Sequence, residues 1–468
     1  MRRGLLRPAR ICKLGGGPAP LSSPLRPRFQ PRMMLPMLPM LLLLLACAPE
    51  TPTWHADVAP ILVEKCSGCH ASGEIGPFPL DSYESAGPMA SAASAAVDAG
   101  TMPPFDAFET DDCTPPLSWK DDPRLSDDEK ATLRDWAAAG APEGDPADAA
   151  ALPNAIATEL EDASQELIPD RSYTTSGDED EFVCVSLDPG LGTDRWFTGM
   201  QVIPGNAEVV HHVVLFSDAA GDSAAWGDSY TDCSGFDSGE PLGVWVPGSP
   251  PTEVPDGSGI LMPAGARVVM QMHYHPVGVV AEPDTTTVQL SWRDDAPEWT
   301  ALITSIGNFA SEEEGLLPEE DDRWQVEFRI PADDADHTET LALTTEAGET
   351  DFYFFSVETH MHMVGTGMEI RWERADPRPA EPKEDCLVQT GWDFDWQRTY
   401  YYDAEIEDLP RGRGGDSIWM QCTYDNTLDN PSVVRALADA GLTEPIAVNL
   451  GEGSLDEMCI GIFGVVYQ

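Results

Sequence analysis

Positive charge is what this chain has least of. Lysine and arginine number 27 against 81 aspartates and glutamates, a formal net charge of −54. Eight of the basic residues fall in residues 1–46, which hold no acid, so the other 19 face all 81 acids. A surface of that sign repels nucleic acid and anionic lipid, and excludes both as partners held by charge. The acids are spread along the chain rather than gathered in a tail, so they read as a solvating coat. Long hydrophobic runs are also missing. The longest, Met33 to Ala46, is too short for a membrane-spanning helix and has the length of a signal-peptide core. Histidine is scarce too, with nine in 468 residues, so any clustering of histidines carries information.

The apolar run ends Leu44-Leu45-Ala46-Cys47, which resembles a bacterial lipobox. Residues 1–46 are then a lipoprotein-type signal peptide, and Cys47 is the first mature residue, lipid-anchored to a membrane. Ala48 after that cysteine suggests sorting to the outer membrane. The expected location is an exported, oxidising compartment of periplasmic type, at the outer membrane or cell surface. Cysteine usage agrees. Cys12 lies in the leader, Cys47 in the lipobox, and Cys66 and Cys69 in a metal-type motif. Cys113, Cys184, Cys233, Cys386, Cys422 and Cys459 remain, an even set that suits disulfides.

Cys66-Ser67-Gly68-Cys69-His70 has the C-x-x-C-H spacing by which c-type haem is attached. The two thiols add across the haem vinyl groups, and the adjacent imidazole becomes the proximal iron ligand. Val58, Ile61, Leu62 and Lys65 recur at helical spacing, so an amphipathic helix leads into the motif. Ser126-Asp-Asp-Glu129 is a capping box that opens a helix carrying Leu133, Trp136 and Ala137 and stops at Gly140, before Pro142. This arrangement resembles a small class I cytochrome c. Residues 51–148 are expected to form an α-helical domain of that kind with one covalent haem. Met102, in Thr101-Met-Pro-Pro104, is the expected second axial ligand, with Met89 and His55 as rivals.

Beyond Pro153 the pattern changes. Proline and glycine are plentiful, 42 and 40, and apolar segments alternate between turn residues. Glu208–Phe216, Ala266–Tyr274 and Phe352–His360 read as strands of an all-β sandwich. On a strand, residues i and i+2 face the same way, so His360 and His362 can hold one ion. Adjacent His211 and His212 point to opposite faces, and reach one ion together only near a strand end or bulge. His273, on a later strand, would complete a three-histidine set. Neutral imidazole suits copper, and the thioether of Met458 favours Cu(I). His275 reads as a strand-end histidine without metal, and Trp392-Asp-Phe-Asp-Trp396 as a core strand.

Six segments occur in an order that resembles the copper type II, ascorbate-dependent monooxygenases, the family of peptidylglycine α-hydroxylating monooxygenase and dopamine β-monooxygenase. They are Phe182-Val-Cys184, Val210–Phe216, Gln271–Tyr274, Thr359–His362, Gln421–Tyr424 and Asp456–Cys459. The resemblance implies two stacked jelly-roll-like β-sandwich domains, at 160–298 and 299–468, with one copper ion on each across a solvent-filled cleft. By the same resemblance His211, His212 and His273 store an electron, while His360, His362 and Met458 form the site of O2 binding and hydroxylation. It also implies Cys184–Cys233 and Cys422–Cys459 disulfides; Cys113 and Cys386 have no counterpart in the family, and whether they bridge each other stays open.

Two departures bear on substrate. Glu358 stands where the peptide-processing member has a basic residue that holds a substrate carboxylate. Ile460 and Ile462 replace polar and aromatic contacts. A neutral, cationic or apolar small molecule fits better than a C-terminal glycine peptide. The expected protein is therefore mainly β, preceded by a small helical domain. Its expected activity is hydroxylation of a C–H bond with O2, using two copper ions and electrons that reach them through the fused haem from a small reductant or an electron-donor protein. The alternatives are a non-enzymatic haem and copper electron carrier or redox sensor, and a copper-sequestering surface protein.

Overall fold

The computed structural model describes residues 51–468 except 73, 75, 155, 156, 158, 177–179, 228, 234–238, 276–279, 309–327, 452 and 454. The expected signal, residues 1–46, and Cys47 lie outside the described residues. The chain enters as a helical turn, Trp54–Val58, that runs on into Ala59–Lys65. Pro60 occupies the first turn of that helix, where its missing N–H is not needed. One further turn, Ser67–His70, carries the C-x-x-C-H motif. Tyr83–Ala99 starts at Ser82, whose hydroxyl accepts from Ser85 N at 3.3 Å. Gly100 ends it at φ +75, a conformation glycine adopts without strain. The helix foreseen from the capping box spans Asp127–Ala138. Ser126 Oγ accepts from Glu129 N at 3.3 Å, and the Glu129 carboxylate accepts from Ser126 N at 2.7 Å. Leu133 and Trp136 pack with Trp54, Val58, Leu62 and Ala90 into a small core of their own.

The rest is mainly β, in stacked sheets, as the alternating segments predict. A five-stranded antiparallel sheet has the order Thr231–Asp232, Glu181–Leu187, Arg267–Tyr274, Val210–Asp218, Glu240–Trp245. A four-stranded sheet has the order His337–Thr344, Ser417–Tyr424, Gly365–Glu373, Glu384–Gly391. Each lies against one half of a ten-stranded sheet. Val213, Leu215, Met270 and Met272 from the first are buried with Met200, Val202, Val288 and Leu290 from the long sheet. On the other side, the Trp372 ring of the four-stranded sheet lies 4.9 Å from that of Phe354, edge to face, with Ile370, Met420 and Phe463 around them.

Strand Trp299–Gly307 is the seam between the halves. It pairs in parallel with Ser258–Met262 through Trp299 and Thr300, and antiparallel from Thr300 to Gly307 with Ile460–Tyr467. The expected boundary between 298 and 299 thus falls at the first residue of a strand shared by both sandwiches, inside one continuous sheet. A second join comes from the segment after the long helix. Ala107 bridges to Thr390, Trp119 bridges to Tyr402, and Cys113 is disulfide-bonded to Cys386. Cys184–Cys233 and Cys422–Cys459 are also bonded, which completes the even cysteine set. No described helix is long and apolar enough to cross a membrane.

Phe354→Ala removes the ring at the centre of the second sandwich and is expected to cost about 3–5 kcal/mol of unfolding free energy. Chemical denaturation followed by intrinsic fluorescence reads this. An unchanged midpoint would show that the two sheets do not depend on this contact.

Candidate metal centre

His211 and His212 lie at the start of strand Val210–Asp218, opposite Arg267–Tyr274. The register slips between Val210 and His212, which pairs directly with His273. His211 is the extra residue of this bulge, so both neighbouring imidazoles turn toward His273. The three Nδ1 atoms form a nearly equilateral triangle: 3.2 Å from His211 to His212, 3.1 Å from His211 to His273 and 3.3 Å from His212 to His273. Ligands about 2.0–2.1 Å from a tetrahedral or trigonal metal lie about 3.3–3.5 Å from one another, so the triangle has the size of a metal's ligand set. The Asp180 carboxylate can only accept, so His273 donates Nε2–H to it at 2.8 Å, which leaves the His273 Nδ1 lone pair for the centre. Phe182 stacks on the same ring at 4.2 Å. Burial, with the neighbouring imidazole of His273, lowers the His211 pKa to about 4 and that of His212 well below its usual value. Both rings are therefore neutral near pH 7, the form that binds metal. His275 also bonds Asp180, at 3.0 Å, and its ring stands 5.8 Å from His211, outside the triangle.

The second set uses the opposite nitrogen. His360 ends strand Asp351–His360, and its ring lies 5.3 Å from that of His362, at 87°. His360 Nδ1 meets Gln397 Oε1 at 2.9 Å, and His362 Nδ1 meets the Asp456 carbonyl at 3.1 Å. Both partners accept, so both Nδ1 atoms carry the proton and Nε2 keeps the lone pair. Burial, then the adjacent His362, depresses the His360 pKa to about 3. Met458 is buried, two residues ahead of Ile460, which pairs with His360. One carboxylate joins the two parts. Glu457 Oε2 accepts from His362 N at 2.8 Å and from Met458 N at 2.9 Å, while Oε1 accepts from Val364 N at 2.9 Å and Gly365 N at 3.0 Å.

One aromatic ring lies near a histidine of each set. The Phe394 ring lies 6.4 Å from His273 and 6.3 Å from His362. Its neighbour Asp395 is gripped by both Nη atoms of Arg435, at 2.7 and 3.0 Å, and stands 3.9 Å from His211 Nε2. The Trp392–Trp396 run is therefore not the core strand its composition suggested. It leaves the sheet at Gly391 and turns as a short 3-10 segment, Phe394–Trp396, because the Asp393 side chain accepts from Asp395 N at 3.0 Å. Glu358, two residues before His360, is buried on Thr399 Oγ1, and burial raises its pKa to about 7. Ile460 and Ile462 are buried as well. Asp180 and Gln397 escaped sequence reading, while Phe394 fell in a run read as core strand and Glu457 in a segment where only Met458 was given a role. The only available signal was Glu457's place beside Met458.

In the C-x-x-C-H turn, His70 N bonds the Cys66 carbonyl at 2.8 Å, and His70 Nδ1 donates to the Phe78 carbonyl at 2.8 Å. Cys66 and Cys69 are the described cysteines outside disulfides, and burial pushes the Cys66 thiol up to about 12. Met89 packs on the helical core alongside Cys66. Met102 lies half-buried in the bend after Gly100 and is not among the described residues packed on that core. His55 faces Glu143 at 3.6 Å.

Neither a protein-family model nor a curated protein matches this chain. Among solved structures it is similar to the VP2 subviral particle of infectious bursal disease virus, at 10% identity over 66% of this chain and 72% of that one, with a TM-score of 0.16. It is similar also to the Gt strain of that virus, at 9% identity over 68% and 74%, again with a TM-score of 0.16. Likenesses of that score carry no argument about this chain.

Asp180→Ala removes the acceptor that settles the tautomer of His273. Affinity of the three-histidine set for copper is expected to fall by about 10–100-fold. Competition with a Cu(I) chelator measures it, and unchanged affinity would mean that Asp180 does not orient His273.

Proposed function

We propose that the protein is a copper-dependent monooxygenase that hydroxylates a C–H bond of a small organic substrate with O2, supplied with electrons through its own c-type haem. The observation that carries this reading is the pairing of two unlike histidine sets. One presents three Nδ1 atoms in a 3.1–3.3 Å triangle. The other presents Nε2 of His360 and His362, with the buried Met458 two residues before the strand partner of His360, and the Phe394 ring lies within 6.4 Å of rings from both sets. Copper bound at the two sets would supply one-electron steps and O2 activation. His211, His212 and His273, with Asp180 behind them, would hold the electron-storing ion. His360, His362 and Met458 would hold the ion at which substrate reacts. This is the division that the resemblance to copper type II monooxygenases implies.

The haem assignment is supported by the C-x-x-C-H spacing and by the turn that holds the motif together, in which His70 N bonds the Cys66 carbonyl at 2.8 Å. His70, with Nδ1–H held by Phe78, keeps Nε2 for iron. Met102 or Met89 would supply the sixth ligand. An uncharged or cationic substrate is favoured by the buried Glu358 and the apolar Ile460 and Ile462. Export and lipid anchoring through Cys47 belong to the same proposal.

Metal analysis of the mature protein against haem absorbance is expected to find about two copper ions per haem. Met458→Ile is expected to abolish O2-dependent hydroxylation while the three-histidine set still takes up copper. Fewer than two copper ions per haem after loading would refute the paired site. Full copper occupancy without O2 consumption under any reducing condition would point instead to an electron carrier.

A further inference from the structure

We infer that the Cys69 face of the C-x-x-C-H motif is docked on the first β-sandwich, so that a haem held there is joined to the His360 site within one molecule rather than through a separate carrier. This rests on the haem and copper reading above and adds where the two are joined. The Cys69 thiol lies 3.6 Å from the Pro247 carbonyl oxygen. Pro247 and Gly248 follow strand Glu240–Trp245, whose Trp245 pairs with Val213 on the His211–His212 strand. Gly248 has φ +77, and a Cβ built there would collide with Cys69 Sγ and stand 3.3 Å from the Gly68 carbonyl carbon. Glycine alone allows both that backbone conformation and that approach.

The far side of the turn leads to the metal set. Val246 and Ser249, which flank Pro247 and Gly248, line a single crevice with Gln397 and Arg398. Gln397 is the side chain that holds His360 Nδ1, at 2.9 Å. Trp119 and Lys120 close the same crevice from the segment between helices Tyr83–Ala99 and Asp127–Ala138. That segment is fastened by the Cys113–Cys386 disulfide, by Lys120 N donating to the Tyr401 carbonyl at 2.7 Å, and by Asp403 N donating to the Ser118 carbonyl at 2.9 Å. The helical unit is thus packed on one sandwich through Cys69 and covalently tied to the other through Cys113. The thioether-bearing edge of the haem would face protein rather than solvent. A haem held by Cys66, Cys69 and His70 would supply electrons one at a time, copper held by the histidines would accept them, and a small reductant or an electron-donor protein would replenish the haem.

The test uses the full holoprotein, with haem and copper contents measured first. Protein that lacks either group refutes the parent reading and this inference with it. With both present, flash photoreduction of the haem is followed at its absorbance. Re-oxidation is expected to be first order, unchanged on dilution of the protein, and lost on removal of copper. Gly248→Ala is expected to slow it by about tenfold or more, with haem and copper contents unchanged, because a small displacement of the reacting partners is enough to do so. A rate proportional to protein concentration would overturn the docking while leaving the monooxygenase reading intact. An unchanged rate in folded Gly248→Ala would do the same. Should that variant not fold, the dilution series on the unmodified protein decides.

Discussion

The arrangement of the second histidine set depends on one buried carboxylate. Glu457 is fully buried and accepts four backbone N–H groups, two on each oxygen. An ionised carboxylate taken out of water without such donors costs several kcal/mol, and burial does push its pKa upward, against the four donors and His362. The donors come from both sides of the site: His362, Val364 and Gly365 from the loop after one strand, and Met458 from the loop before another. A single side chain therefore decides where the His-x-His loop stands relative to the methionine. The Cys422–Cys459 disulfide and the Tyr424 hydroxyl, which donates to the Met458 carbonyl at 3.0 Å, hold the same loop from behind.

The first set is built by the same logic with different atoms. Asp180 accepts from His273 and His275. Behind the strand, the buried Asp284 accepts from the Tyr274 hydroxyl at 2.8 Å and from Asn206 N at 2.8 Å. His273, His360 and His362 are each turned by a fixed acceptor, which leaves Nδ1 of His273 and Nε2 of His360 and His362 for an ion. The long sheet supplies the frame. Because Trp299–Gly307 pairs with strands of both halves, the two sets stand on elements that share hydrogen bonds rather than on bodies joined by a linker. Phe394 lies near rings of both sets, next in the chain to Asp395, which Arg435 grips.

Local pattern was enough wherever a residue's role depends on its neighbours in the chain. The strands carrying His211, His273 and His360 are short apolar runs bounded by turn residues. The Ser126 capping box announces its helix, and the C-x-x-C-H spacing announces its turn. The need for a bulge at His211–His212 followed from strand geometry alone, since adjacent side chains otherwise diverge. Composition misled at Trp392–Trp396. The run looks like a core strand, yet Asp393 accepts from the backbone two residues on and breaks the extended conformation. The side chains that orient the ligands were not legible. Asp180 is 93 residues from His273, Glu457 is 95 from His362, and Gln397 is 37 from His360.

What the sequence by itself determined was the inventory: which residues could hold metal or haem, which segments were strands, and that the cysteines formed an even set. Periodicity and short motifs are properties of adjacent residues, so they survive in one dimension. The tertiary structure alone decided the angles and the neighbours. It set which nitrogen of His273, His360 and His362 is left for an ion, that Phe394 lies near rings of both sets, and that Gly248 lets the Cys69 turn rest on a sandwich 178 residues away. Those outcomes depend on acceptors and close contacts brought together by sheet register and packing, and no local pattern encodes them.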